Sequence, residues 1–152
     1  MPFIAYKSLK SLLEHQCILE VMAGMGRNVE VIKDLNPKSI TLVDINPLSI
    51  KFAKRKYAND SSIIAECGDL NEWIKKAHHR YRAMIGVWTL SYMDGKQADI
   101  FLRWCKKHIY YLILVEPVDR VEQSKQKERF LDQTQQMIVR HKTDYNSLFR
   151  KL

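Results

Sequence analysis

The sequence predicts an α/β fold with a doubly wound, mainly parallel sheet, and three observations predict it. Short apolar runs alternate with amphipathic stretches along the chain, a glycine turn follows the first run, and an aspartate closes the second. With 152 residues, 46% of them hydrophobic and 28% charged, the chain is long enough for one core, so residues 1–152 read as a single domain.

The first strand is the run Cys17-Ile18-Leu19-Glu20-Val21-Met22, whose near-continuous apolar character suits a strand buried on both faces. Gly24-Met25-Gly26 makes the turn, and Asn28 to Leu35 shows helical spacing closed by Asn36-Pro37. Ser39 to Val43 is β-branched and apolar, hence strand two. Asn46 and Pro47 then offer an N-cap and a first helical residue. That second helix is expected to carry Leu48, Phe52 and Tyr57 inward. Ile63 to Glu66 forms strand three, Asn71 to His79 a helix, Met84 to Trp88 strand four, and Tyr110 to Val115 strand five. Ile100, Phe101, Trp104 and Cys105 mark the apolar stripe of the helix between the last two. The polar segment Glu122 to Arg129 reads as an exposed helix or mobile excursion, and Tyr145 to Leu152 as a last helix. The order lacks the final β-hairpin with which a full domain of this architecture would end.

Composition excludes several classes. No run of 18 apolar residues occurs and the first residues lack signal-peptide order, so a soluble intracellular protein is expected, cytoplasmic, nuclear or in an organelle, without a membrane partner. Cys17, Cys67 and Cys105 are scattered and read as buried thiols. Neither they nor the five histidines show metal-ligand spacing, so no metal is expected. The net charge of +8 leaves nucleic acid open as a partner, although Lys51, Lys54, Arg55 and Lys56 suit a solvated helix end.

Four loops at the carboxyl ends of the strands carry the candidate site, because open α/β sheets bind ligands there. In the first, Gly24 and Gly26 let backbone approach a ligand closely. In the second, Asp44, with Ile45 beside it, can accept both hydroxyls of a ribose. Together they indicate an adenosine-containing ligand. A dinucleotide fold wants GxGxxG, which is absent; Glu20 can instead hold an ammonium and Arg27 a carboxylate, so the amino-acid end of S-adenosylmethionine fits. In the third loop Asp69 can accept from the adenine amino group while Leu70 packs on the ring, and Asp69 can also cap a helix. The fourth, Gly86 to Asp94, carries Trp88 and Tyr92 toward the acceptor side, where they can equally be core aromatics.

The strings Leu19-Glu20 to Arg27, Trp88 to Asp94 and Phe101 to Cys105 resemble class I S-adenosylmethionine-dependent methyltransferases, and most nearly the protein alpha-N-terminal methyltransferase group. The stretch Val139-Arg140 with Tyr145, Leu148, Phe149 and Arg150 is similar to that group's segment before its last strands. The resemblance implies a Rossmann-like fold and a protein or peptide amine as acceptor. It assigns Gly24, Gly26 and Arg27 to the methionine end, Asp44 to the ribose, Asp69 and Leu70 to adenine, and Val87 to the cleft. The chain departs from the group at Met22, where relatives often have glycine, at Tyr92, where they often have histidine, and at Pro117, near their asparagine. About sixteen residues precede the first strand, so the helices of the group's peptide channel are largely missing.

Methyl transfer needs alignment more than a strong base, and Tyr92, Asp94 and Glu116 are the candidate proton acceptors, with Tyr92 preferred. Asp94 can equally cap a helix and Glu116 merely end a strand. Two other readings stay open: an inactive methyltransferase-like subunit that binds a protein or RNA partner, and a nucleic-acid methyltransferase. The latter lacks its Asn/Asp-Pro-Pro-Tyr motif.

Overall fold

The computed structural model describes residues 6–116, 127–131 and 137–141. Five parallel strands form one sheet in the order β3-β2-β1-β4-β5: β1 (Cys17–Val21), β2 (Ser39–Asp44), β3 (Ile63–Cys67), β4 (Tyr81–Val87) and β5 (Ile109–Val115). The order reverses between β1 and β4, whose residues Val21 and Gly86 are register partners. This is the predicted doubly wound α/β architecture, and it places the end of β1 at the point where such sheets open a crevice.

Helices α1 (Tyr6–Leu13), α2 (Val29–Lys33), α3 (Pro47–Lys56), α4 (Leu70–Lys76) and α5 (Gly95–His108) connect and cover the strands. Their starts follow local chemistry. Asn46 caps α3 by accepting from Leu48 N and Ser49 N, with Pro47 at the first helical position. Asp94 and Gln97 build a reciprocal capping box on α5. One core cluster sets Leu19, Val21, Val43 and Met84 against Phe101, Leu102 and Trp104 of α5; the other packs Ile18, Ile40, Leu42 and Ala83 against Val29, Ile32, Ala53 and Tyr57. Burying the sheet on both faces in this way accounts for the near-continuous apolar character of β1 and β2.

Several expectations are corrected. Leu48 and Phe52 are 61% and 50% exposed, and α3 buries Ser49, Ile50 and Ala53 instead, with Tyr57 buried just after it. Helix α5 turns Ile100 outward and buries Ala98 and Leu102 with the expected aromatics. Only Cys105 is a buried thiol; Cys17 is half-buried and Cys67 exposed. Strand β4 starts three residues earlier than expected, at Tyr81, and α1 was not foreseen. The five-stranded sheet stops at β5. Residues Lys127–Leu131 and Met137–His141 nonetheless form an antiparallel pair, β6 and β7, as a separate two-stranded sheet, where the polar composition around Arg129 suggested helix or excursion. The helix expected over Tyr145 to Leu152 lies outside the described residues. Among the described residues no helix is long and apolar enough to cross a membrane.

Candidate active site

The turn after β1 is held in an unusual backbone conformation. Met22, Gly24 and Gly26 all have positive φ, at 51°, 55° and 75°. Glycine adopts this region freely, whereas Met22 does so at a cost of about 1–2 kcal/mol. A side chain at Gly24 would meet nothing within 4 Å, so its surroundings are open. One at Gly26 would press on Val29, Tyr57 and Leu42 at 3.1–3.3 Å. The two glycines thus serve different ends: Gly26 lets the turn pack on the core, and Gly24 leaves space above it. Met22 packs against the core beneath α4 and α5.

Asp44, at the end of β2, ties this turn down. Its Oδ2 accepts from Gly24 N at 2.7 Å and its Oδ1 from Asn46 N at 2.8 Å. Ala23 N donates to Val43 O at 3.1 Å, and the Tyr57 hydroxyl donates to Gly26 O at 3.2 Å. Each Asp44 oxygen keeps further acceptor capacity.

Glu20 is the chemically marked residue. It is 2% exposed; its Oε1 accepts from Asn28 Nδ2 at 2.8 Å, and its Oε2 is buried with no partner. Burial pushes its pKa up to about 7, against the hydrogen bond from Asn28, and the nearby Asp44 carboxylate adds to the rise. A buried carboxylate with an orphaned oxygen is unfavourable unless a cation or donor completes it.

The other predicted residues fall around this centre. Ile45 is exposed beside Asp44, Arg27 is exposed on the glycine turn, and Gly68 N donates to Asp44 O at 3.0 Å, bringing the third loop alongside. Asp69 caps α4 through Asn71 N and Glu72 N, at 2.9 and 3.1 Å. Leu70 is in the core, which leaves Ile45 as the exposed apolar side chain in that region. Val87 is 37% and Trp88 43% exposed at the end of β4. There the chain turns sharply: Trp88 has φ of 58°, and Trp88 N donates to Val115 O at 2.7 Å. Gly86 is tightly enclosed just before this bend, since a Cβ there would press on the Thr89 side chain and on Leu114 at 3.0 Å.

The candidate proton acceptors divide by their surroundings. Asp94 is exposed and forms the cap of α5, accepting from Gln97 N at 2.8 Å. Glu116 accepts from Leu90 N at 2.8 Å and Ser91 N at 3.3 Å, clasping the 3-10 turn Leu90–Tyr92 to the end of β5. Tyr92 is half-buried in that turn. Sequence reasoning missed Asn28 and the bond of the Tyr57 hydroxyl to Gly26 O. For Asn28 a signal existed, a side-chain amide two residues beyond the last turn glycine; the Tyr57 bond arises only through tertiary contact. Among the described residues no group of three or more His, Cys, Asp or Glu could hold a metal ion.

Comparison with known proteins accords with this geometry. A family model described as a methyltransferase domain matches residues 18–109. No curated protein matches the chain. Among solved structures, a DhpI–SAH complex superposes with a TM-score of 0.68 at 16% identity, covering 91% of this chain and 65% of that one. An S-adenosylmethionine-dependent methyltransferase from Clostridium acetobutylicum gives 0.63 at 14% identity, covering 86% and 55%. Phosphoethanolamine N-methyltransferase 1 from Haemonchus contortus gives 0.58 at 14%, covering 88% and 37%. The chain therefore spans less than two thirds of the length of each of these three, and the likeness carries the fold. With the family model matching more than half of its residues, the chain belongs to the methyltransferase domain family.

Proposed function

We infer that residues 1–152 form a methyltransferase domain that binds S-adenosylmethionine at the carboxyl ends of β1 to β4 and methylates an amine. The observation that carries this reading is the buried, unpartnered oxygen of Glu20 beside the open turn at Gly24. An ammonium group satisfies that oxygen, and the proximity of Asp44 gives the ribose hydroxyls a carboxylate already fixed by two backbone N–H groups. In this reading Arg27 receives the carboxylate of the amino-acid end, Ile45, rather than the core residue Leu70, borders the adenine, Asp69 accepts from its amino group, and Val87 lines the cleft. The DhpI complexes with SAH and with SAM, which share this fold, support the choice of cofactor.

S-adenosylmethionine supplies a methyl group on a sulfonium, already activated for displacement. What the chain contributes is alignment, worth up to about 7–11 kcal/mol where geometry is ideal. Tyr92, in the 3-10 turn that follows the end of β4, is proposed as the proton acceptor for an amine. The acceptor is proposed to be a protein amine, N-terminal or side chain, reached inside the cell. The family resemblance and the exposed Trp88 beside the cleft support this. A second reading, a partner-binding subunit without activity, draws on the exposed apolar residues Ile45, before α3, and Leu48 and Phe52 on it.

Titration calorimetry with S-adenosylmethionine separates the two. The enzyme reading expects micromolar binding that tightens from pH 6 to pH 8, as Glu20 loses its proton on passing through about pH 7. Glu20→Gln should weaken binding at pH 8 roughly tenfold and flatten the pH profile. No heat with the wild-type chain at either pH would leave the subunit reading.

A further inference from the structure

At the pole of the sheet opposite the glycine turn, the carboxyl ends of α4 and α5 meet the amino ends of β4 and β5. Trp73 of α4 and Trp104 of α5 are in edge contact, 5.9 Å between centroids. The His108 ring stacks on Trp104 at 4.9 Å, and its Nδ1 lies 3.2 Å from His79 O, which joins the two connecting segments. Residues 75–82 and 103–110 together hold seven Lys and Arg and no Asp or Glu. Glu72 pairs with Lys75 and Asp99 with Arg103. A shallow hollow between the segments is lined by Arg80, Lys106, Lys107, His108, Ile109 and Tyr110.

Lysines in the last turns of α4 and α5 complement the helix dipoles, which accounts for Lys75, Lys76, Lys106 and Lys107 as single residues. The dipoles do not account for Arg80 and Arg82, which lie outside any helix. Nor do they account for the aromatics among them. Tyr110, on the end strand of the sheet, is 67% exposed, and the Arg82 guanidinium lies 5.1 Å from the centroids of both Tyr110 and Tyr111. A concave, cationic surface with an open aromatic face matches a negatively charged strand that carries unstacked planar bases.

We propose that this hollow binds single-stranded nucleic acid, with Arg80, Lys106 and Lys107 on the phosphates and Tyr110 stacked on a base. Duplexes keep their bases stacked and offer Tyr110 no partner, so single strands are preferred. An acidic polypeptide would use the cations alone and leave the tyrosine idle. The site lies apart from the proposed cofactor turn and is tested without S-adenosylmethionine, so its failure leaves the methyltransferase reading untouched.

The test is fluorescence anisotropy of the full chain with labelled twelve-nucleotide oligo(U) and oligo(dT) between 50 and 200 mM salt. Binding should weaken steeply with salt, and R80A/K106A/K107A should lower the log–log slope by about 2, at about 0.7 per lost phosphate contact, with at least tenfold weaker binding at low salt. Tyr110→Ala should weaken binding about fivefold or more with the slope unchanged, and Tyr110→Trp should restore it. All four positions are exposed, and circular dichroism checks that the variants fold. The proposal is overturned if wild-type binding is absent or insensitive to salt, or if the triple variant binds as wild type does. It is equally overturned if Tyr110→Ala has no effect, or if polyglutamate competes as well as the oligonucleotides do.

Discussion

The two ends of the sheet are built on opposite principles. At the carboxyl end, Glu20 is buried with an oxygen unsatisfied, and Met22, Gly24, Gly26 and Trp88 hold left-handed backbone. At the amino end, Arg80, Lys106 and Lys107 are exposed to water, left-handed backbone is confined to His15 and Asn36 in the turns into β1 and β2, and the buried groups without a partner are the donors Arg82 Nε and Trp104 Nε1. The first end buries a carboxylate with an oxygen left over; the second keeps Arg80, Lys106 and Lys107 in solvent. A buried carboxylate oxygen without a partner costs stability, and among the described residues Glu20 is the one carboxylate in that state, which makes its end of the sheet the candidate site.

The strongest way to break this contrast is Asp44→Ala, which removes the acceptor for Gly24 N and Asn46 N together with the proposed ribose ligand. Affinity for S-adenosylmethionine should fall at least about a hundredfold by calorimetry, from about 3 kcal/mol of lost charge-assisted bonding. An undiminished affinity would remove the carboxyl end from consideration.

A sharper test uses stability against pH. Glu20 has a folded pKa of about 7, raised from 4.5, so the folded chain holds a proton that the unfolded chain has released between these values. Its favourable contribution is full below about pH 4.5 and is lost as pH rises through 7, a swing of up to about 3 kcal/mol. In urea melts, Glu20→Gln should be more stable than wild type at pH 8 and close to it at pH 5, the reverse of its effect on cofactor binding. Equal stability differences at both pH values would show that the carboxylate is not buried as described.

The glycines split the same way. Gly26→Ala strains the backbone and crowds Val29, Tyr57 and Leu42, so a loss of about 2–3 kcal/mol is expected. Gly24→Ala meets only open space and should cost about 1 kcal/mol, yet it should weaken cofactor binding more than its stability cost implies. The smallest effect is expected from Asp94→Ala, which removes the cap of α5 for about 1 kcal/mol by thermal melting. It should leave cofactor affinity unchanged.

Much of the backbone frame around the candidate site at the carboxyl end was legible because its signals are local. A glycine turn after an apolar run, an aspartate ending the next run, and Asn46-Pro47 opening a helix each depend on a few neighbouring residues. The amino-end hollow was not legible, since Arg80 and Lys107 stand 27 positions apart and meet only through the packing of α4 on α5. The outward turn of Leu48 and Phe52 was misjudged for a related reason: a helical stripe records which residues share a face, and the neighbouring sheet decides which face is covered.

By itself the sequence determined the alternation of strands and helices, the bend at Gly24 and Gly26, and the caps at Asn46, Asp69 and Asp94, because backbone preference and short-range hydrogen bonds act within a turn or two. Only the tertiary structure decided that Glu20 would be sealed beside Asn28 with one oxygen left over. The same holds for Glu116, which clasps the turn at Leu90 rather than standing free, and for the cations of two separate segments that share one hollow. Those outcomes depend on distance and on the exclusion of water, which residues far apart in the chain acquire only when the sheet brings them together.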